Sequence, residues 1–248
     1  MTRTLQELRL AWRSVTRLRT VNAFAVLAFA LGIGITTAVF SLFYGVLLKP
    51  LPFPDPDQLV IVYDTQPACT TCPASFEKHH DWKSRSTSFA AMGGSFNPLV
   101  VVTGAGDPER VPAAGTTASL MDVFRINAAF GRWFSASEDQ PGGPKVVVLT
   151  DGYWKRRLGG DPAVLGRKIT IDGDPHEIIG VMPPGFVHRR AELFVPVQRK
   201  FDPTNRGSHF LVTYGRLKPG VTLAQAQQEM RTLGATLAKE FGHNHGID

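Results

Sequence analysis

The chain has 248 residues with 27 Lys+Arg against 21 Asp+Glu, a formal net charge of +6, a balance that on its own points to an anionic partner such as nucleic acid. Residues 1–49 hold nearly all of that excess. The remainder carries 21 Lys+Arg against 20 Asp+Glu, so the basic composition is not the mark of a nucleic-acid surface.

The first 20 residues contain five arginines, Arg3, Arg9, Arg13, Arg17 and Arg19, and one acid, Glu7. Leu5, Leu8, Trp12, Val15 and Leu18 recur at helical spacing, so residues 1–20 read as an amphipathic helix lying in a membrane interface on the cytoplasmic side. Between Arg19 and Lys49 there are 29 consecutive uncharged residues. At about 1.5 Å per residue such a helix exceeds a hydrocarbon core of roughly 30 Å, and residues 21–49 are assigned as one transmembrane helix. The run is too long for the apolar region of a signal peptide and ends in Leu47-Leu48-Lys49-Pro50 rather than at a small-residue cleavage site. Arginine on the amino-terminal side places that end in the cytoplasm and residues 50–248 outside. Ala30, Gly34, Ala38, Ser41 and Gly45 form a small-residue stripe suited to packing against other membrane helices. The absence of ionisable side chains argues against an ion path through this helix alone.

Four prolines at positions 50, 52, 54 and 56 then stop the helix and stiffen the exit. Beyond them, residues 59–63, 99–103, 110–116, 146–149, 192–197 and 209–217 read as strands, and residues 75–83 as a short helix. Thr150 or Asp151 caps a second short helix that Gly159-Gly160 ends. Residues 168–171 and 176–181 flank the turn Asp172-Gly173 as a hairpin. The last helix has the clearest signature, with Thr222-x-x-Gln225 as a capping box and Leu223, Ala226, Met230, Leu233, Leu237 and Phe241 along one face. The outer part is therefore α+β, of short strands interleaved with short helices.

Candidate chemistry is sparse. Cys69-Thr-Thr-Cys72, outside the cytoplasm, reads first as a disulfide, second as a redox pair, and third as half of a metal site with His79 and His80. His176, His188 and His209 are isolated and read as surface or strand residues, and His243 and His245 as a solvated tail. Gly104-x-Gly106 and Gly142-Gly-Pro-Lys145 lack the spacing of phosphate-binding loops, and neither G-x-S-x-G nor H-E-x-x-H occurs. No catalytic, cofactor-binding or metal-ligating residue is assigned.

The stronger signal is distributed along the chain. Phe130-Gly-Arg-Trp-Phe134, Glu138-Asp139, Val146-Val-Val-Leu-Thr150, Tyr153-Trp-Lys-Arg-Arg157, Gly160-Asp-Pro-Ala-Val-Leu-Gly166 and Ile178-Ile-Gly-Val-Met-Pro-Pro-Gly-Phe186 follow one another in an order that resembles the periplasmic core domain of MacB-like permeases of ABC transporters. Leu31-Gly-Ile-Gly34 through Ser41 and Val46-Leu-Leu-Lys-Pro-Leu-Pro52 resemble that family's first membrane helix, in particular its duplicated orphan branch within the FtsX-like superfamily.

The resemblance implies an inner-membrane permease whose large outer domain lies between the first and second of four membrane helices. It implies as partners a separate or fused ABC-type ATPase, the remaining permease helices and a periplasmic protein. Such permeases are similar to mechanical transmitters, and the resemblance brings no catalytic residue. Gly131, Arg132, Phe134, Gly166, Gly180 and Pro184 are expected to be structural supports, where small or rigid residues set turns and the aromatic fills core. A closing strand and three more membrane helices are expected after residue 241 and are not found before Asp248, so residues 50–248 are read as a core domain incomplete at its carboxyl end. The alternative from another class is a single-pass extracytoplasmic binding or sensor module that needs no ATPase.

Overall fold

A computed structural model describes residues 19–44, 53–66 and 69–242. The chain divides into two units, Met1–Pro52 and Phe53–Asp248. Most of the expected interfacial helix, and Gly45 of the small-residue stripe, lie outside the described residues, as do His243 and His245.

In the first unit, α1 spans Arg19–Phe43. Its segment Ala23–Phe43 is 21 residues of mean hydropathy 2.2 with no part buried within the protein. At about 1.5 Å per residue that length matches a hydrocarbon core of roughly 30 Å, so α1 is a candidate membrane span. Ala30, Gly34, Ala38 and Ser41 all lie on it, and a Cβ built at Gly34 meets nothing within 4 Å. Thr36 hides its hydroxyl by donating to the Gly32 carbonyl at 2.8 Å, which suits an apolar surrounding.

The second unit is a mixed α/β domain. Its strands are β1 (Leu59–Val62), β2 (Asp64–Gln66), β3 (Cys69–Cys72), β4 (Phe89–Phe96), β5 (Leu99–Thr103), β6 (Glu109–Thr116), β7 (Phe130–Gly131), β8 (Val146–Leu149), β9 (Lys168–Ile171), β10 (Asp174–Val181), β11 (Leu193–Pro196) and β12 (Val212–Leu217). The helices are α2 (Phe76–Arg85), α3 (Leu120–Phe124), α4 (Asp151–Leu158) and α5 (Leu223–Phe241). β2 and β3 form a separate hairpin, and the other ten strands make one sheet in the order β1-β12-β4-β6-β11-β8-β10-β9-β5, with β7 on β10.

The sheet closes on itself. β5 pairs with β9 and also with the first half of β6, while the second half of β6 takes β4 on that same side. The ring β5-β6-β11-β8-β10-β9 is thus a six-stranded barrel, narrow enough for side chains to fill. Val102, Val111, Val147, Leu149, Ile169, Ile178, Val181 and Leu193 fill it, and Tyr153 and Trp154 of α4 close one end.

β8 shows why its sequence is an unbroken apolar run. Val147 and Leu149 face the barrel interior, Val146 and Val148 face a second cluster with Phe124, Phe134 and Phe194, and all four are buried. A strand buried on both faces, paired in parallel with β10 and antiparallel with β11, has no polar side to show. β10 accommodates this with a bulge between Ile178 and Gly180, so that Ile178 and Val181 point inward although they are three apart.

Beyond the barrel, β4, β12 and β1 carry α2 and α5 over a third cluster that includes Trp82, Met92, Met230 and Leu237. α5 begins with the expected capping box, Thr222 and Gln225 each bonding the other's backbone N–H. Thr222→Ala removes that partner, and the expected cost of about 1 kcal/mol corresponds to a fall in Tm of roughly 2–4 °C in a domain of this size, measurable by thermal circular dichroism.

α2 departs from the usual pattern, because its buried face is polar. Glu77, Lys78, His79 and Asp81 are buried beside Trp82. Lys78 Nζ meets Asp64 at 2.6 Å, and Arg206 meets Asp81 at 2.6 Å, each pair almost wholly out of water. The Arg206 guanidinium also lies 3.5 Å from the ring centre of Phe241, and Arg85 grips Glu240 with two bonds. The end of α5 is held onto α2 by charge as much as by apolar contact.

Candidate functional site

Two constructions in the second unit bear on what the domain does: the point where the chain enters it, and a clamp built from the Phe130–Asp139 region.

The entry begins at Phe53, whose ring stacks on Phe124 of α3 at 4.9 Å. Pro54 and Pro56 leave the chain little freedom, and Asp55 between them takes a left-handed conformation (φ 46°) that opens a short 3-10 turn over Pro56–Gln58. Both ends of Asp55 are held. Its carboxylate accepts from Arg125 at 2.7 Å, and its carbonyl accepts from Arg216 at 3.2 Å. Arg216 is 1 % exposed and also donates its Nε–H to the Val123 carbonyl at 2.6 Å. Burial lowers the pKa of its guanidinium, and the neighbouring Arg125 adds to this.

One buried cation thereby ties three elements: the entry turn, the carboxyl end of α3, and β12. Gly93 lets α3 lie directly on β4, since a Cβ there would come within 2.5 Å of the Leu120 Cα. Residues 53–58 are thus joined to α3 and β12 by hydrogen bonds, and α3 lies against β4.

The clamp begins with the strand pair β7–β10. Gly131 has φ 69°, and a Cβ on it would fall 2.2 Å from the Ile179 carbonyl oxygen. Gly180, its partner in register, would bring a Cβ 2.3 Å from the Arg132 carbonyl oxygen. Two backbones touch here, and only glycine fits on either. Arg132 then forks onto Glu138 with both bonds at 2.7 Å. Glu138 also accepts from the Ser135 N–H and hydroxyl. The Arg132 bonds, aided by those from Ser135, hold the Glu138 carboxyl at about 2. Phe134 is buried in the second cluster.

Asp139 extends the clamp. It accepts from the Ala118 N–H at 2.9 Å and from the Gln198 N–H at 3.2 Å, while Trp133 donates to the Ala118 carbonyl at 2.9 Å. The loop before α3 and the end of β11 are thus fastened to one segment. Gly166 (φ 81°) turns the chain into β9 and donates its N–H to the Ile178 carbonyl at 2.8 Å. Pro184 and Gly185 (φ 78°) occupy the middle of a turn closed by Phe186 N–H to Pro183 O, the residue pattern of a type II turn.

Cys69 and Cys72 are bonded to each other within β3, their Cα atoms 5.7 Å apart. His79 Nδ1 pairs with the Thr213 hydroxyl at 3.0 Å, and the two cysteine sulfurs are bonded to each other. Among the described residues no group of three or more His, Cys, Asp or Glu side chains is placed to hold a metal ion.

Of the three histidines read as surface or strand residues, His188 needs correction. His188 is buried in a loop among Phe124, Phe194 and Tyr214, bonded to the Ser95 hydroxyl at 2.9 Å. His209 sits against Pro73 and Asp64. His176 is in β10, as expected for a strand residue, but it is buried. Burial by distant elements is not encoded in local spacing. Arg216 was missed for the same reason, while Glu138 and Asp139 stand out only as part of the longer motif.

The buried histidines make a pH prediction. Burial lowers His188 from 6.5 to about 4 and His79 from 6.5 to about 3. An unfolded chain binds these protons near 6.5, so the stability is present above that pH and is lost as pH falls towards 4 and 3. Urea midpoints are expected to drop between pH 7.5 and pH 4.5, and His188→Gln to flatten that fall; a midpoint independent of pH in the parent would contradict it.

Among the described residues the second unit is a domain braced by buried ion pairs and close backbone contacts. The family model for the MacB-like periplasmic core domain matches residues 23–233, and the chain belongs to that family, a domain of transporter permeases rather than a class of enzymes. The structure is similar to the extracellular domain of the noncanonic ABC-type transporter YknZ from Gram-positive bacteria, with 16% identity, a TM-score of 0.57, and coverage of 77% of this chain and 98% of that one. It is also similar to the periplasmic region of MacB from Actinobacillus actinomycetemcomitans, with 14% identity, a TM-score of 0.58, and coverage of 76% and 86%. No curated protein matches the chain. At these identities the structural likeness speaks for the fold.

Proposed function

We propose that the chain is the amino-terminal module of an ABC transporter permease that carries ATP-driven movement from membrane helices to an extracytoplasmic domain. On this reading α1 crosses the bacterial inner membrane with its amino terminus in the cytoplasm, and the second unit is periplasmic. The partners are an ABC-type ATPase, the other permease helices packed on the Ala30, Gly34, Ala38, Ser41 and Gly45 stripe, and a periplasmic protein that receives the motion. The observation that carries the reading is the clamped entry at residues 53–58. A tether needs no such brace, whereas a transmitter needs its stiff proline lead fixed to the sheet, as Asp55, Arg125 and Arg216 fix it.

The test has two arms. Cysteines placed along the small-residue stripe and cross-linked in native membranes are expected to capture permease helices, and the complex to contain an ABC-type ATPase. Replacing the four prolines by a Gly-Ser stretch of equal length is expected to leave ATP hydrolysis by that complex intact while abolishing ATP-dependent distance changes between spin labels on the outer domains. Recovery of the chain with no ATPase, or unchanged label distances with the flexible lead, would overturn the reading.

A further inference from the structure

The six-stranded barrel is closed at one end and open at the other. Tyr153 and Trp154 of α4, with Val164, seal the end where β8 finishes. At the opposite end, where β5, β8 and β10 begin and β9 and β11 finish, the interior opens into a cavity of about 410 Å³. That volume falls within the roughly 300–1,000 Å³ of small-molecule sites, and barrel mouths are a preferred place for them. Val100, Ile171 and Val195 make its apolar floor, with Phe96 at the wall.

One polar side chain faces inward. His176 lies two residues before the inward Ile178 on β10 and lines the cavity. Its Nδ1 is 2.9 Å from the Asp174 carbonyl oxygen, which can only accept, so Nδ1 carries the proton. Burial lowers the imidazole's pKa, which favours the neutral ring. Nε2 is then a bare acceptor, and no hydrogen bond to it is formed among the described residues.

The rim holds two carboxylates and one ammonium. Lys145 lies 3.6 Å from the Asp174 carboxylate. Asp172 accepts from the Val101 N–H at 2.8 Å, and the Gln198 amide donates to the Glu138 and Pro144 carbonyls. The Val101 bond leaves the Asp172 carboxylate its charge, and the surplus acid disfavours an anionic ligand.

We infer that the open mouth of the barrel binds a small, neutral, largely apolar molecule that donates one hydrogen bond to His176 Nε2, such as a phenol, an alcohol or a secondary amide. The apolar body rests on Val100, Ile171 and Val195, and the donor meets the one inward acceptor. This site is independent of the entry clamp and of any ATPase.

The test uses the full chain in lipid nanodiscs, with empty nanodiscs subtracted, and follows para-trifluoromethylphenol by fluorine NMR. Saturable binding beyond the empty discs is expected, together with a shift of the His176 Nε2 resonance in protein labelled with nitrogen-15 histidine. Trifluoromethylbenzene, which lacks the donor, is expected to bind about fivefold or more weakly. Val100→Trp, which fills the floor, is expected to abolish binding. The comparison of the two ligands needs no variant, so it stands even if Val100→Trp misfolds. Partition equal to that of empty discs, equal affinity for the two ligands, or an unmoved His176 resonance would each overturn the site.

Discussion

Arg216→Met is expected to lower the stability of the outer domain by about 3 kcal/mol and to release the entry segment before the rest of the domain unfolds. The side chain is almost fully buried, and its guanidinium donates to the carbonyls of Val123 and Asp55. Methionine retains the apolar stem and removes both donors: the Val123 carbonyl loses its buried partner at a cost of about 1–3 kcal/mol, and the Asp55 carbonyl keeps only the Gln58 N–H. Relief of the desolvated charge offsets part of that loss, which is why the sum is not larger. In a domain of this size the change corresponds to a fall in Tm of roughly 6–12 °C.

Hydrogen exchange separates this effect from a general loss of packing. The Gln58 N–H, bonded to the Asp55 carbonyl at 3.1 Å, is expected to lose protection under conditions where β8 keeps its own. Arg216→Lys is expected to recover little, since one compact ammonium does not reproduce the fork that reaches two carbonyls. Uniform loss of protection across residues 53–217 would show Arg216 to be an ordinary core residue.

The elements legible in the sequence are those whose neighbours are encoded locally. β8 announces itself by four consecutive apolar residues, β9 and β10 by their turn, and α5 by its capping box and apolar stripe. β4 received no assignment from the sequence, where Gly93 and Gly94 interrupt any strand pattern. Both are small for tertiary reasons: a Cβ at Gly93 would strike the Leu120 backbone, and one at Gly94 would lie 2.5 Å from Leu211 Cδ2. α3 is only five residues long and takes its place from that same contact. The ends of α2 were nearly right, with Ser75 as the N-cap accepting from the Lys78 N–H, but its ionic buried face has no hydropathy signature. The six-stranded closure depends on β6 sharing one side between β4 and β5, a division that no local pattern expresses.

Of the candidate sites, the glycines of the motif are visible one by one, whereas their meaning lies in a pairing across 49 residues. Gly180→Ala is expected to cost several kcal/mol, because the new Cβ would stand 2.3 Å from the Arg132 carbonyl oxygen. Backbone on both sides cannot yield as a flexible side chain would. The strain falls on the β7–β10 register and from there on Arg132 and its bonds to Glu138. Gly131→Ala meets the Ile179 carbonyl in the same contact and adds the cost of a left-handed backbone at φ 69°. Once one of these substitutions has forced the strands apart, the other has less left to break, so the double variant is expected to lose less than the sum of the single losses. Gly152→Ala supplies the contrast: nothing lies within 4 Å of its Cβ, it sits inside α4, and helix propensity favours alanine by about 0.8–1 kcal/mol. Thermal denaturation of the four variants decides the matter. Additive losses at Gly131 and Gly180, or a Gly180→Ala protein as stable as its parent, would mean that the two backbones do not bear on each other and that the clamp is not what holds β7 to the barrel.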